Sequence, residues 1–409
     1  MRSIVSPASR SGDSRLPTRR LSWHLALAVM GLLIFQALTL TSGRIVVGDG
    51  LGWDGRQYAS LMTDGLDQGS VVPRSRPLLP LLTRIPYALG LGVIESFELM
   101  NGLYAFTLYF FVALIVNLYD TRMRVQAIVV VNLALCIATS KMFAYYPVQI
   151  DLGALALMTA ACYFVLTDRH WFAGLLCILA LASREFGIAV LLCGVHRTFR
   201  RGRLWPDGLA YLPGVLTIVV VRTLTYSEGA LTANDAVANL ELWGSPVFIA
   251  AFLYFVVTVF GGISTLLVLH PHWCFARLRQ EPELATFLIV VVGLTAVGNL
   301  DIWRYLAFAL PVVVVLVAHY YRDRVHVAMV ERSIAAGMTF VTVFTQRPFA
   351  QMDTALYFRD WFPLYDIIGQ TPSPDLLALW VTRLIALALL AVTLILIGQS
   401  NPPMRDSVS

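Results

Sequence analysis

Four stretches of this sequence place ionisable side chains among glycine, proline or aromatic residues in otherwise apolar surroundings. They are GDGLGWDGRQYASLMTDG at 48–65, RPLLPLL at 76–82, LASREFG at 181–187 and NLDIWRYLAFALP at 299–311. In the first, Gly48, Gly50, Gly52 and Gly55 permit positive φ and close backbone approach, so Asp49 and Asp54 can be held on a tight turn. The following DGRQYASLM predicts a helix capped by Asp54, with Tyr58, Leu61 and Met62 as an apolar stripe lying in a membrane interface. Carboxylates held this way serve either as proton acceptors or only as the solvated cap of a juxtamembrane helix. Arg76, fixed by Pro77 and Pro80, is either an interfacial arginine with its head in the headgroups or a fork for a phosphate.

Arg184 and Glu185 are neighbours in an apolar run, and adjacent residues on a helix do not face each other. A charge at membrane depth costs about 2.5–3.5 kcal/mol or more and usually faces a cavity or a partner. Arg304 either pairs locally with Asp301 at i,i+3 or enters a cavity and holds an anion, while Trp303 and Tyr305 suit an aromatic belt. TQRPFAQMDTALYFRDWFPLYD, starting at Thr345, mixes aromatics with acids and suits either sugar rings or an interface. His270-Pro271-His272-Trp273-Cys274 has metal-ligand types but no companions, which disfavours a metal site. HExxH, Walker A and GxSxG motifs are all missing, and the glycines of the first stretch lack a surrounding βαβ unit.

The elements that must position these residues are membrane helices. Of 409 residues, 58% are hydrophobic and only 13% charged, against roughly 25% charged in soluble domains. The mean hydropathy is +0.71. The net charge of +5 therefore speaks of orientation in a bilayer rather than nucleic acid. Cys136, Cys162, Cys177, Cys193 and Cys274 sit in or beside apolar runs and read as small buried hydrophobes. Residues 1–20 read as a disordered cytoplasmic tail and LSWHLALAVMGLLIFQALTLT as a signal-anchor helix.

Spans are predicted near 21–41, 97–118, 125–143, 149–166, 208–226, 245–269, 284–300, 303–320, 328–346 and 376–398. Residues 171–197 read as two short helices meeting at Ser183-Arg184-Glu185, because that returns the Arg197–Arg203 cluster to the cytoplasm. The result is an all-α polytopic domain over 21–398 with about eleven or twelve spans. Both termini are then cytoplasmic, with 399–409 as a tail. The first exoplasmic loop is 42–96 and the last 347–375. No internal repeat of the kind found in secondary transporters is evident.

In order and topology the four stretches resemble the GT-C superfamily of integral membrane glycosyltransferases. The resemblance implies a GT-C-like helical bundle whose first exoplasmic loop, with short interfacial helices, is functional. It also implies a mannosyltransferase-like, inverting hexosyl transfer from a polyprenyl-phosphate-linked sugar to a glycan, lipid or protein acceptor of the cell envelope, in the plasma membrane. Carried over, Asp54 is the catalytic acid of the first loop and Asp49 a second carboxylate. Arg56, Tyr58, Arg76, Arg184, Glu185 and Arg304 are then substrate-binding residues. The family's closely spaced acidic pair is not reproduced, since four residues separate Asp49 and Asp54. No cofactor is required by this reading, and a divalent cation is left open. The competing expectation is a transporter or flippase for a lipid-linked glycan, which would also use charges at membrane depth.

Overall fold

A computed structural model describes residues 18–41, 48–65, 76–225, 240–244, 249, 252–253, 255–257, 259–297, 302–323 and 337. Among them every regular element is helical. The first helices are α1 (Thr18–Thr41), α2 (Trp53–Asp64), α3 (Leu78–Ala88), α4 (Val93–Tyr119) and α5 (Met123–Leu135). A π-helical turn, Ile137–Lys141, leads into the single turn α6 (Met142–Tyr145). Then come α7 (Asp151–Leu166), α8 (His170–Ser183), α9 (Gly187–Arg200), α10 (Leu204–Gly208) and α11 (Leu212–Thr225). The described part closes with α12 (Gly262–Leu269), α13 (Pro271–Gln280), α14 (Pro282–Val297), α15 (Ile302–Leu306) and α16 (Leu310–Asp323).

Four described helical segments are long and apolar enough to cross a membrane: Leu21–Leu40, Val93–Tyr119, Leu204–Val221 and Arg304–Asp323. A fifth is reached if α13 and α14, bent by 118°, count as one broken span. This character is that of a multi-pass membrane protein. The expected spans 328–346 and 376–398, the last loop 347–375, the tail 399–409 and residues 1–17 lie outside the described residues.

At the centre, α7 reads DLGALALMTAACYFVL and is buried nearly all round. A helix with no polar face must be enclosed by others. It packs against α4 and α8, while α1 lies along α4 and α5, α9 against α14, and α16 against α4. The split expected within 171–197 is present: α8 ends at Ser183, Arg184 is extended with φ −159° and ψ 142°, and α9 starts at Gly187.

Three expectations need correction. The run 125–143 is not one helix, because Cys136 turns extended (ψ 155°) and the chain resumes as a π turn. There the Tyr109 hydroxyl donates to Thr139 O and the Thr139 hydroxyl to Leu133 O, fixing the irregular backbone from within the core. The run 245–269 is not one helix either, since Gly261 takes φ 58° in a turn just before α12. Finally, α2 does not lie in an interface: Tyr58, Leu61 and Met62 are all fully buried in the bundle.

What allows α2 to sink so far is glycine. Gly52, its N-cap, has φ 71° and ψ −167°, a region nearly exclusive to glycine. A Cβ there would fall 2.3 Å from the Tyr146 ring, and one on Gly55 would fall 3.0 Å from Val148. The Gly55 N–H donates to the Tyr146 hydroxyl at 2.9 Å. Gly52→Ala is therefore expected to cost about 1–3 kcal/mol in backbone strain alone and to undock α2. Limited proteolysis of the detergent-solubilised protein should show faster cleavage within 48–65 and a lower melting temperature.

Candidate functional site

At the end of the bundle where α2, α7, α9 and α15 begin and α8 stops, six charged side chains form one chain of contacts of alternating sign. Asp54, in the first turn of α2, accepts from Arg304 Nη1 at 3.1 Å. The same guanidinium donates through Nε to Asp151 and through Nη2 to Gln149 Oε1 at 2.7 Å. Asp151 accepts on its other oxygen from Arg184 Nε. Glu185 Oε1 lies 3.6 Å from Arg184 Nη1. Glu185 in turn accepts two bonds from Arg76, at 3.0 Å from Nε and 2.9 Å from Nη2. Arg76 Nη1 closes the chain by donating to the Tyr58 hydroxyl at 3.4 Å, back on α2.

Three arginines face three carboxylates, so the cluster is formally neutral. Burial varies sharply along it. The Asp151 side chain is 5% exposed and Asp54 47%. Arg184 is buried, with the Tyr305 and Phe308 rings 5.7 and 6.0 Å from its guanidinium carbon. Phe186 stacks on Phe308 at 4.5 Å, completing an aromatic wall. Neither Nη of Arg184 has a hydrogen-bond partner among the described residues. Burial works against the charge of Arg76, but Glu185, with help from Tyr58 and Tyr305, more than offsets it and holds the guanidinium above its ordinary pKa. The crevice between Phe143, Asp151, Arg304 and Phe308 has no room for a water molecule. The chain matches no family model, no characterised protein and no solved structure.

The candidate residues sort clearly. Asp54, Tyr58, Arg76, Arg184, Glu185 and Arg304 come together although they span about 250 positions of the chain. Asp49 and Arg56 do not join them: Asp49 is 98% exposed and among the described residues meets Arg56, at 3.7 Å. Asp54 is not the cap of α2 as expected, because Gly52 holds that position and no side chain caps the helix. Asp301, the expected local partner of Arg304, lies outside the described residues.

Sequence spacing missed Gln149, Asp151 and Tyr146. The signal for Asp151 was present: it is a lone carboxylate heading an apolar run of sixteen residues, the same anomaly that marks Arg184. Among the described residues no three His, Cys, Asp or Glu side chains gather as a metal site. In the HPHWC stretch, His270 Nε2 meets the Tyr320 hydroxyl at 3.2 Å and the Cys274 thiol donates to Leu267 O at 3.4 Å.

A second charged layer caps the other ends of the same helices. Arg197 donates to Asp168 and Glu283, both at 2.9 Å, Arg200 to Glu283 at 2.8 Å, and His319 Nε2 lies 2.7 Å from Glu281. The sixteen residues of α7 separate the layers by about 24 Å at 1.5 Å per residue.

Removing one partner of a buried ion pair typically costs 3–5 kcal/mol, whereas a half-exposed pair is worth about 0.2–1 kcal/mol. Asp151→Asn should therefore lower the melting temperature of the detergent-solubilised protein markedly, and Asp54→Asn should barely move it. Equal melting of the two variants would contradict a structural role for Asp151.

Proposed function

We propose that this protein is an inverting membrane glycosyltransferase of the GT-C type, taking its sugar from a polyprenyl phosphate. The observation that carries the reading is the meeting of Asp54, from the first loop, with Arg304, which shares Asp151 with Arg184. A half-exposed carboxylate beside guanidinium donors is what transfer from a phosphate-linked sugar requires. The acceptor's hydroxyl oxygen attacks the anomeric carbon from the face opposite the phosphate. As that bond forms, the bond from the anomeric carbon to the phosphate oxygen breaks and polyprenyl phosphate departs with the electron pair. Asp54 takes the acceptor's proton. A carboxylate is a weak base, so it takes the proton when cleavage is well advanced. Arg304 and Arg184 meet the charge growing on the leaving phosphate, each hydrogen bond to a charged group contributing about 1.5–3 kcal/mol.

In this reading Asp151 is a positioning residue that holds both arginines at one side of the reaction, and the aromatic wall keeps water from the donor. The site faces the exoplasm, both termini the cytoplasm, and the membrane is the plasma membrane. A through-path of the kind a transporter needs is disfavoured by the second charged layer, whose arginines are satisfied by their own acids.

The test is transfer from polyprenyl-phosphate-linked hexoses by purified protein. Losing a general base typically slows turnover about 10²- to 10⁴-fold, so Asp54→Asn should fall in that range with an unchanged melting temperature. Transfer at the wild-type rate by that variant would remove Asp54 from the mechanism. Passage of a lipid-linked glycan across proteoliposomes without glycosidic bond formation would replace the reading with transport.

A further inference from the structure

The site as it stands is already occupied, and by the protein itself. Arg304 offers three nitrogens; Nε and Nη2 are engaged by Asp151 and Gln149, both buried. The third, Nη1, is engaged by Asp54, which is half exposed and is held to Arg304 by that single bond. Across Asp151, bonded to its other oxygen, lies Arg184, whose two Nη atoms are buried and without a hydrogen-bond partner among the described residues. The crevice beside Arg304, lined by Phe143, Asp151 and Phe308, admits no water. An anion reaching these donors must therefore displace something, and the contacts differ greatly in how readily they yield. Asp151 is bound from two sides in a dry environment, where an unpaired charge is strongly unfavourable. Asp54 can swing into solvent, and a half-exposed ion pair such as its own is weak.

We propose that Asp54 is the resident counter-anion of a phosphate site centred on Arg304 Nη1, with Arg184, held by the same Asp151, as the second donor. An incoming phosphate monoester or diester takes its place. The inference rests on the proposed glycosyl transfer only for the identity of the anion. It adds a device to that reaction: the carboxylate that serves as base is held out of use while the site is empty and is released by the donor's own phosphate. Because α2 is pinned to the bundle's charges at two points, Asp54 to Arg304 and Tyr58 to Arg76, release of the first leaves α2 held by the second. Binding of the anion should thus loosen the first turn of α2 while its second turn stays docked.

The experiment is titration of farnesyl phosphate into the full-length, detergent-solubilised protein, with farnesol as the uncharged control. Wild type should bind farnesyl phosphate, and Asp54→Asn and Asp54→Ala should bind it about 3- to 5-fold more tightly, the worth of a half-exposed ion pair. Asp64→Asn removes the same charge from the far end of α2, where Asp64 accepts from Ser60 and Thr63, and should leave affinity unchanged. Binding of farnesol should not respond to Asp54.

A parallel titration with inorganic phosphate identifies the source of the anion. The same Asp54 dependence there supports recognition of the phosphate group by itself. A dependence confined to farnesyl phosphate supports a lipid-borne phosphate. Hydrogen exchange supplies the second readout: the amides around Asp54 should exchange faster when wild type is saturated with farnesyl phosphate.

Equal or weaker binding by both Asp54 variants, or slower exchange at the start of α2 on saturation, overturns the counter-anion while leaving the phosphate site intact. No binding of either phosphate to wild type or variants overturns the site and the proposed reaction with it.

Discussion

Everything in the charged cluster at this end of the bundle depends on one buried carboxylate. Asp151 sits where α7 begins and accepts from Arg184 and Arg304 on separate oxygens. Without it two guanidinium groups would face each other in a dry, apolar setting, where repulsion and lost hydration act together. With it, the break between α8 and α9 and the start of α15 are fixed to the same point. The bend at Arg184 is then explained. An unbroken helix through 170–200 would carry this side chain along one continuous surface, whereas the extended residue lets Arg184 and Glu185 point to different partners.

The alternation of sign gives the cluster its other property. Each arginine lies between acceptors and each buried acid between donors, so removing any interior member leaves its neighbours unsatisfied. The end at Asp54 differs, being half exposed and bonded once. Stability and reactivity are thus spatially graded: rigid where Asp151 and Arg184 are buried, replaceable where Asp54 meets solvent. A protein that binds an anion at the end of a bundle benefits from this grading, since only the outermost contact need change.

Much of this was legible in the sequence, for a physical reason. Charges are so expensive in an apolar run that Arg184, Glu185 and Arg304 announce themselves by being there at all. The glycines around Asp54 likewise announce close backbone approach, although not what is approached; Tyr146 and Val148 emerge only in three dimensions. Some helix positions followed apolar length, although 125–143 and 245–269 proved broken, and the split at Ser183–Gly187 followed the distribution of arginines. Two things were not legible. Polar groups satisfied inside the core, such as the Tyr109 and Thr139 hydroxyls that shape the π turn, leave no periodic trace. An amphipathic stripe such as Tyr58, Leu61 and Met62 looks the same whether it faces lipid or other helices, and here it faces helices. Asp151 falls between these cases: its type and setting carried the signal, but it lay at the head of a predicted span and was not singled out.

The order of the partners along the chain bears on how the molecule is made. Synthesis is vectorial, and N-terminal parts fold first. Asp151 and Arg184 belong to two packed neighbours, α7 and α8 with its C-cap, so this hairpin carries its acid and its base together into the bilayer. Arg304 arrives 153 positions after Asp151 and 250 after Asp54. Until it does, the loop that holds Asp54 has no counter-charge on the bundle, and α2 is held to the cluster only through Tyr58 and Arg76. The last arginine of the cluster to leave the ribosome is therefore the one that locks the first loop in place, and the site is complete only once α15 has been made.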